Sequence, residues 1–197
     1  SKWITNEFSR NDVHRLRKKH RAIMVGIGTV LTDNPMLNCR IENGRNPIRI
    51  VCDSKLRIPL DCNICKTANE ISTLVVSAIE NPEKQSELEK MGVKTLILPD
   101  KNGKVDLKKL MQYLGEKSID SVLIEGGGTL AYSALQSKIV SHIYSYIAPK
   151  IFGGENAKTP VESVGVETPD DCFKLKRTNV RELGSDILIE YDVLEVQ

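Results

Sequence analysis

Short apolar runs alternate with amphipathic segments along the first two thirds of the chain. The runs at 22–25 and 48–52 are typical of buried strands, whereas the apolar positions of 107–114 repeat at the spacing of one helix face. Further strands are predicted at 72–77, 94–98 and 121–125. Helices are predicted from a Thr5 cap to about His20, from an Asn81 cap to about Met91, and over 129–136. Continuous apolar strands separated by helices predict a sheet that is covered on both faces.

The pattern changes after Ser137. Strand-like segments at 142–148, 173–178 and 187–193 follow one another with no helical pattern between them. They predict an antiparallel or mixed edge that closes the sheet. Because there is no repeat, low-complexity tract or linker-like stretch, residues 1–197 are interpreted as one α/β domain.

Composition narrows the class of protein. The 28 basic and 26 acidic side chains give a net charge of +2, so charge alone indicates no nucleic-acid partner. No apolar stretch approaches the roughly 20 residues that span a bilayer. Five scattered cysteines favour a reduced compartment over a disulfide framework, and we therefore expect a cytoplasmic protein.

Three glycines after a strand are the clearest chemical feature. Gly126, Gly127 and Gly128 separate the strand at 121–125 from the helix at 129–136. Such a turn can bring backbone N–H groups close to a phosphate at a helix N-terminus, and the alternative is a tight turn that needs positive φ. Three glycines in a row favour the phosphate cradle. Glu125 then lies where open α/β sheets place their ligand crevice.

Other candidates are weaker when each is taken alone. The segment from Gly26 to Leu31 is half of a dinucleotide fingerprint that lacks its third glycine, although it leaves Thr29 and Asp33 near a turn. Ser54 with two basic neighbours could hold the 2′-phosphate of NADP, or could form an ordinary solvated turn. Arg17 and Arg40 suit phosphate recognition, or are surface charges.

The sequence contains no pattern typical of a metal site or of a catalytic nucleophile that acts without a cofactor. Cys62 and Cys65 form a lone C-x-x-C that neither has the partners of a zinc site nor begins a helix after a strand, so both are interpreted as ordinary thiols. The three histidines have no metal-binding spacing, so no metal site is expected. A bound cofactor would then be the source of reactivity.

Several segments together resemble the C-terminal reductase domain of the bifunctional deaminase–reductases of riboflavin biosynthesis, the RibD family. They run in the same order and are SKWIT (1–5), DVHRLR (12–17), GIGTVLTDNP (26–35), NPIR (46–49), EGGGTLA (125–131) and APK (148–150). The resemblance extends to about Gly154. Beyond that residue the chain is less distinctive.

The resemblance implies a dihydrofolate-reductase-like fold, in which helices flank a mixed sheet that ends in an antiparallel C-terminal hairpin. It implies NADPH-dependent reduction of 5-amino-6-(5-phosphoribosylamino)uracil to 5-amino-6-(5-phosphoribitylamino)uracil. The ribosylamine would open to an imine-like form and receive hydride at C1′. A homodimer is also implied.

The resemblance assigns site residues by position. The implied cofactor contacts are Trp3, Thr29, Asp33, Ser54, Gly127, Gly128, Thr129, Leu130, Ala131, Tyr132 and Ser133. The implied substrate contacts are Ser1, Arg17, Leu37, Arg40 and Glu125, and Glu125 is also the candidate catalytic residue. The two arginines would clamp the ribose 5-phosphate.

Two departures from the family pattern matter. The family domain normally begins with a strand and a Ser-Leu-Asp-Gly-Lys-like loop just before the segment that matches 1–5, so we expect a further strand upstream. The deaminase motifs are absent, so this chain should neither bind catalytic zinc nor deaminate, and a deaminase domain is expected in the full-length protein. The alternatives are a reductase of the same fold acting on a pterin or another compound, a non-catalytic nucleotide-binding domain, and a structural partner of the deaminase half.

Overall fold

Helices and strands alternate through the first two thirds of the chain, as the hydrophobic pattern predicts. The computed structural model describes residues 3–154, 157 and 159–194. The helices are α1 (Glu7–Lys19), α2 (Ile27–Asp33), α3 (Asn63–Lys66), α4 (Pro82–Lys90), α5 (Leu107–Glu116) and α6 (Gly128–Gln136). The strands are β1 (Ala22–Gly26), β2 (Ile48–Cys52), β3 (Thr73–Ser77), β4 (Val93–Ile97), β5 (Val122–Ile124), β6 (His142–Ile147), β7 (Leu175–Leu183) and β8 (Asp186–Val193). No helix in this part of the chain is long and apolar enough to cross a membrane.

β1 lies inside a five-stranded parallel sheet with the order β4-β3-β2-β1-β5. Its side chains alternate between the two faces of the sheet. Ile23 and Val25 join the core that packs against α2, α3 and α4, while Ala22 and Met24 join the core that packs against α5 and α6. The sheet is therefore covered on both faces, which confirms the layered α/β prediction.

The C-terminal strands form a separate antiparallel sheet with the order β6-β8-β7. The predicted hairpin is present as β7 and β8, but in the described residues no strand pairing joins this sheet to the parallel one. The hairpin is anchored to α1 instead. Asp186 Oδ2 accepts hydrogen bonds from the Asn6 backbone N–H at 2.8 Å and from the Ser9 hydroxyl at 2.7 Å.

Three local predictions are wrong. The cap of α1 is Asn6 rather than Thr5, because the Asn6 side chain accepts from the Ser9 N–H while its amide donates to the Leu183 carbonyl. Gly26 ends β1 and caps α2 directly, so no glycine loop intervenes. Cys62 does begin a helix, the four-residue α3, which has no apolar periodicity long enough to reveal it.

Candidate active site

The carboxyl ends of β1 and β5 meet at the point where the strand order reverses. From β1 the chain adds β2, β3 and β4 on one side and returns to place β5 on the other. Gly26 ends β1, and Glu125 follows β5 with its N–H donating to the Met24 carbonyl at 2.9 Å. Open α/β sheets bind ligands at such a switch point.

The predicted glycine turn has the backbone that a close approach requires. Gly126 and Gly127 have φ of 75° and 84°, which side-chain-bearing residues rarely adopt. A Cβ on Gly126 would lie 3.3 Å from the Thr29 hydroxyl oxygen, and one on Gly127 would lie 3.8 Å from the Gly26 nitrogen. α6 begins immediately afterwards without a side-chain cap. This turn therefore combines a close backbone approach with the unpaired N–H groups of a helix start, and an anion can bind there.

A cavity of about 750 Å³ opens beside the glycine turn and brings together most of the expected cofactor residues. The expected residues that line it are Thr29, Asp33, Ser54, Gly127, Gly128, Thr129, Leu130 and Ser133. Its wall also carries Lys55, Arg57 and Lys104, all exposed. The Ser54 hydroxyl accepts from the Val105 N–H at 3.2 Å, which fixes the turn carrying Lys104 against the turn carrying Lys55.

The remaining expected cofactor residues lie elsewhere. Ala131 lines a different cleft, described below. Tyr132 is buried, lines neither cavity, and donates its hydroxyl to the Gly165 carbonyl at 2.9 Å. Trp3 is half exposed beside the guanidinium of Arg10, and its carbonyl accepts from Lys150 Nζ.

Asp53 supports the turn at the edge of the cofactor cavity. Its side chain is buried, and Oδ2 accepts from the Ile58 N–H at 2.7 Å. Burial raises the pKa of this carboxyl. Its other oxygen has no hydrogen-bond partner among the described residues. Asp53 therefore shapes the turn from within and does not face the cavity.

Arg17 and Glu125 form a bidentate ion pair at the same end of the sheet. Arg17 Nε donates to Oε1 at 2.8 Å and Nη2 to Oε2 at 2.5 Å, and both side chains are largely buried. Arg17 Nη1 also donates to the Asn38 carbonyl at 2.9 Å. Arg17 thus holds Glu125 and the loop at residue 38 together. These contacts use three of its five N–H donors, and the implied role as a phosphate clamp stays a prediction.

The other expected substrate residues do not all present a side chain near the Arg17–Glu125 pair. Leu37 is 3% exposed and packs in the core, with φ of 50°. Arg40 is exposed, and its backbone N–H donates to His14 Nδ1 at 3.3 Å. Ser1 lies outside the described residues. The Leu37 side chain therefore lies in the core and is not exposed to a ligand.

A second cleft, of about 520 Å³, separates the two sheets. β5 and β6 line its opposite sides, and each is an end strand of its own sheet. Val13 and Leu16 of α1 line it as well, together with Ala134 and Leu135 of α6. The cleft is therefore apolar on both faces and bounded by two unpaired strand edges, and Glu125 is part of its lining.

His14 is a buried neighbour of the loop at Arg40 that the sequence gave no reason to choose. It is 7% exposed, and its Nδ1 accepts from the Arg40 N–H. Burial, reinforced by Arg17 and Arg40, lowers its pKa to about 4, so the ring is neutral at neutral pH. His14 lies three positions before Arg17 on α1, but that spacing does not reveal the burial of the ring unless the fold is already known.

Metal chemistry finds no support in the described part of the chain, where no group of three or more histidine, cysteine or acidic side chains could hold an ion. Cys62 and Cys65 are buried free thiols that line neither cavity. A hydrogen bond from Cys65 lowers the pKa of Cys62 to about 6. This pair is separate from the site built around Glu125.

Comparison with known proteins matches residues 1–189 to the family described as the RibD C-terminal domain. The riboflavin biosynthesis protein RibD of Actinobacillus pleuropneumoniae is 47% identical, over 98% of this chain and 52% of its own length. The 2,5-diamino-6-ribosylamino-4(3H)-pyrimidinone 5′-phosphate reductase of Methanothermobacter thermautotrophicus is 36% identical, over 98% of this chain and 89% of its own. The solved structure of Acinetobacter baumannii RibD, form 1, is similar with a TM-score of 0.83 and 30% identity, covering 99% of this chain and 52% of that one. The chain spans about half the length of the curated RibD relatives that it matches.

The neutral His14 predicts a pH-dependent stability. The folded pKa of about 4 lies below the ordinary value of 6.5, so between these values the unfolded chain binds a proton that the folded chain does not. The free energy of unfolding should be unaffected above this window, fall as the pH drops through it, and level off below. His14→Asn keeps an acceptor near Nδ1 and removes the titration, so it should flatten this slope in urea unfolding. His20→Asn, directly after the same helix, is the matched control, and a slope that survives in H14N would contradict the assignment.

Proposed function

The chain belongs to the RibD C-terminal domain family, and we propose that it reduces 5-amino-6-(5-phosphoribosylamino)uracil to 5-amino-6-(5-phosphoribitylamino)uracil with NADPH. One observation carries the proposal beyond family membership. An uncapped helix start on a glycine turn lies next to a carboxylate that an arginine holds in place, at the carboxyl ends of β1 and β5. The first feature suits a dinucleotide and the second a polar, reducible substrate.

The cavity at the glycine turn fits a nicotinamide dinucleotide. Side chains on Gly126 or Gly127 would approach Thr29 and Gly26, and the N–H groups at the uncapped start of α6 suit a pyrophosphate. When bound, NADPH would supply the hydride. Thr29 and Thr129 offer hydroxyls along the same wall.

The preference for NADPH over NADH is supported by the basic edge of this cavity. Lys55, Arg57 and Lys104 make no ion pair within the described residues, and they flank Ser54. A 2′-phosphate is a dianion that such a group attracts, whereas a 2′-hydroxyl gains little from it.

The reaction needs orientation and charge placement from the protein. Opening of the ribosylamine moves a proton from the glycosidic nitrogen to the ring oxygen, breaks the C1′–O bond and leaves a C1′=N bond. Hydride at C1′ and a proton at nitrogen then complete the reduction. Glu125, anchored through both oxygens by Arg17, keeps lone pairs that accept hydrogen bonds from the amine or hydroxyls of the substrate.

A second candidate substrate is favoured by the Methanothermobacter relative, whose name specifies the 2,5-diaminopyrimidinone. The two compounds differ at C2 of the pyrimidine, where the diaminopyrimidinone has an amino group and the uracil a carbonyl, and they share the reacting ribosylamine. The higher identity to the Actinobacillus RibD favours the uracil.

A deaminase domain in the full-length protein and a homodimer complete the proposal. The deaminase domain is supported by relatives of about twice this length. The homodimer is supported by apolar side chains exposed on the outer hairpin, Leu175, Val180 and Ile187. A cytoplasmic location stays a prediction from the sequence.

The first test is NADPH oxidation, followed by absorbance, with the two pyrimidine phosphates compared at matched concentrations. We expect turnover with the uracil to exceed turnover with the diaminopyrimidinone, and NADPH to give a higher kcat/KM than NADH. A preference for the diaminopyrimidinone would assign the chain to the second candidate. Tight NADPH binding with no oxidation in the presence of either compound would contradict the reductase and favour a binding domain.

Arg40 supplies the second test, because its exposed guanidinium is available to the ribose phosphate while Arg17 is paired. Arg40→Ala should weaken substrate binding by roughly 1.5–3 kcal/mol, the range for a hydrogen bond to a charged group. KM for the substrate should rise while KM for NADPH is unchanged. Arg45→Ala removes an exposed arginine of the same loop and is the matched control. Equal effects of the two substitutions would show that Arg40 acts only through net charge.

The cleft between the sheets generates a third test. Two unpaired strand edges with apolar helix residues beside them could pair with a further strand, and we propose that a segment upstream of residue 1 supplies it. A chain that carries this segment should unfold at higher temperature and turn over faster than residues 1–197. Identical melting temperatures and KM values would contradict the assignment.

A further inference from the structure

Arg49 is a fully buried cation in the middle of β2. Its exposed fraction is 0%, and no carboxylate of the described residues lies within ion-pairing distance of it. A guanidinium in such a place must satisfy its five N–H donors with neutral acceptors.

The acceptors are hydroxyls and carbonyls from segments that pack around the end of α3. Thr73 Oγ1 accepts from Nε at 3.0 Å and from Nη2 at 2.7 Å. Nη2 also donates to the Ile64 and Ile71 carbonyls, at 2.9 and 3.0 Å. Nη1 donates to Thr67 Oγ1 at 2.7 Å and to the Met36 carbonyl at 3.2 Å. All but one lie between residues 64 and 73. The exception, Met36, belongs to a distant segment.

Met36 lies in the loop of residues 34–40, which connects α2 to the substrate side of the site. Asn34 is tied to Asn63 by two hydrogen bonds of 2.7 Å, and the Arg40 N–H is tied to His14. Between these ends, the bond from Arg49 is the one hydrogen bond that the described structure gives the backbone of residues 35–37. Leu37, the next residue, has a left-handed backbone conformation with φ of 50°, which side-chain-bearing residues rarely adopt.

We infer that Arg49 is a positioning residue for the substrate, acting through the Met36 carbonyl. Two residues beyond Met36, the Asn38 carbonyl accepts from Arg17, which holds Glu125. Two arginines thus donate hydrogen bonds to the same loop, Arg49 from the core and Arg17 from the site. The bond from Arg49 fixes the position of the loop relative to the sheet, and the loop in turn positions Arg40 and the carbonyl that Arg17 contacts. The inference rests on the proposed function, because it takes the Arg17–Glu125 pair as the substrate site.

The test weakens this single acceptor without disturbing the core. Replacing Leu37 by its α-hydroxy analogue turns the Met36–Leu37 peptide into an ester, whose carbonyl is a poorer acceptor. The N–H that is lost makes no hydrogen bond with the described residues. KM for the phosphorylated pyrimidine should rise on the order of threefold to tenfold, the range of one hydrogen bond, while KM for NADPH is unchanged.

The matched control is Thr67→Val, which removes the other acceptor of Nη1 but lies outside the loop. It should lower the melting temperature and leave both KM values unchanged. An unchanged substrate KM in the ester variant, or a substrate KM raised equally by Thr67→Val, would overturn the inference.

Hydrogen exchange separates this inference from the proposed function. In the ester variant without ligands, the amides of Cys39 and Arg40, which donate to Asn46 and His14, should exchange faster than in the parent chain. Thr67→Val should leave their exchange unchanged. Should the parent chain fail to reduce either pyrimidine, faster exchange confined to the ester variant would still support the tether, and unchanged exchange would overturn it.

Discussion

Parallel pairing of β1 with both β2 and β5 is the constraint on which the site depends. Ala22 pairs with Ile48 on one side and with Val122 on the other, so all three strands end at the same edge of the sheet. At this edge β1 passes directly into α2 at Gly26, and β5 is followed by the glycine turn that begins α6. The location of the crevice therefore follows from topology. The residues at the ends of the strands decide only which chemistry it performs.

The arginines show how one residue type acquires different roles from its surroundings. Arg17 is paired with Glu125 through Nε and Nη2, Arg40 is exposed, and Arg49 is enclosed by neutral acceptors. A charge in the interior is stable only when its hydrogen bonds are complete. Arg17 and Arg49 are therefore fixed in position by the fold, whereas the Arg40 side chain is exposed and forms no ion pair with the described residues. This division of labour could not be assigned from the sequence, where Arg17 and Arg40 were given the same expected function.

The sequence predicted most strands and the longer helices because their apolar periodicity is local. It did not predict α3, whose four residues contain less than two turns. It chose Thr5 as the cap of α1, although Asn6 is also a good cap, because the deciding contact is with Leu183, at a separation of 177 residues. The glycine turn, Thr29, Ser54 and Glu125 lie at the edge of the sheet where the sequence placed them, since glycines and strand ends are visible in sequence. The burial of Leu37, Tyr132 and His14 depends on tertiary packing that no local pattern records.

Arg49, by contrast, could have been recognised from the pattern alone. It alternates with Ile48 and Ile50 in a strand whose other residues are apolar, and such a strand is buried on both faces, so a charged side chain within it has no route to water. Its partners had to be hydroxyls or carbonyls, and arginine rather than lysine suits this role because its planar fork presents five donors in fixed directions. The hydrogen bonds to Ile64, Thr67, Ile71 and Thr73 hold this fork in one orientation. The requirement that leaves no donor unpaired in the core therefore also fixes Met36, and through it the loop of residues 34–40.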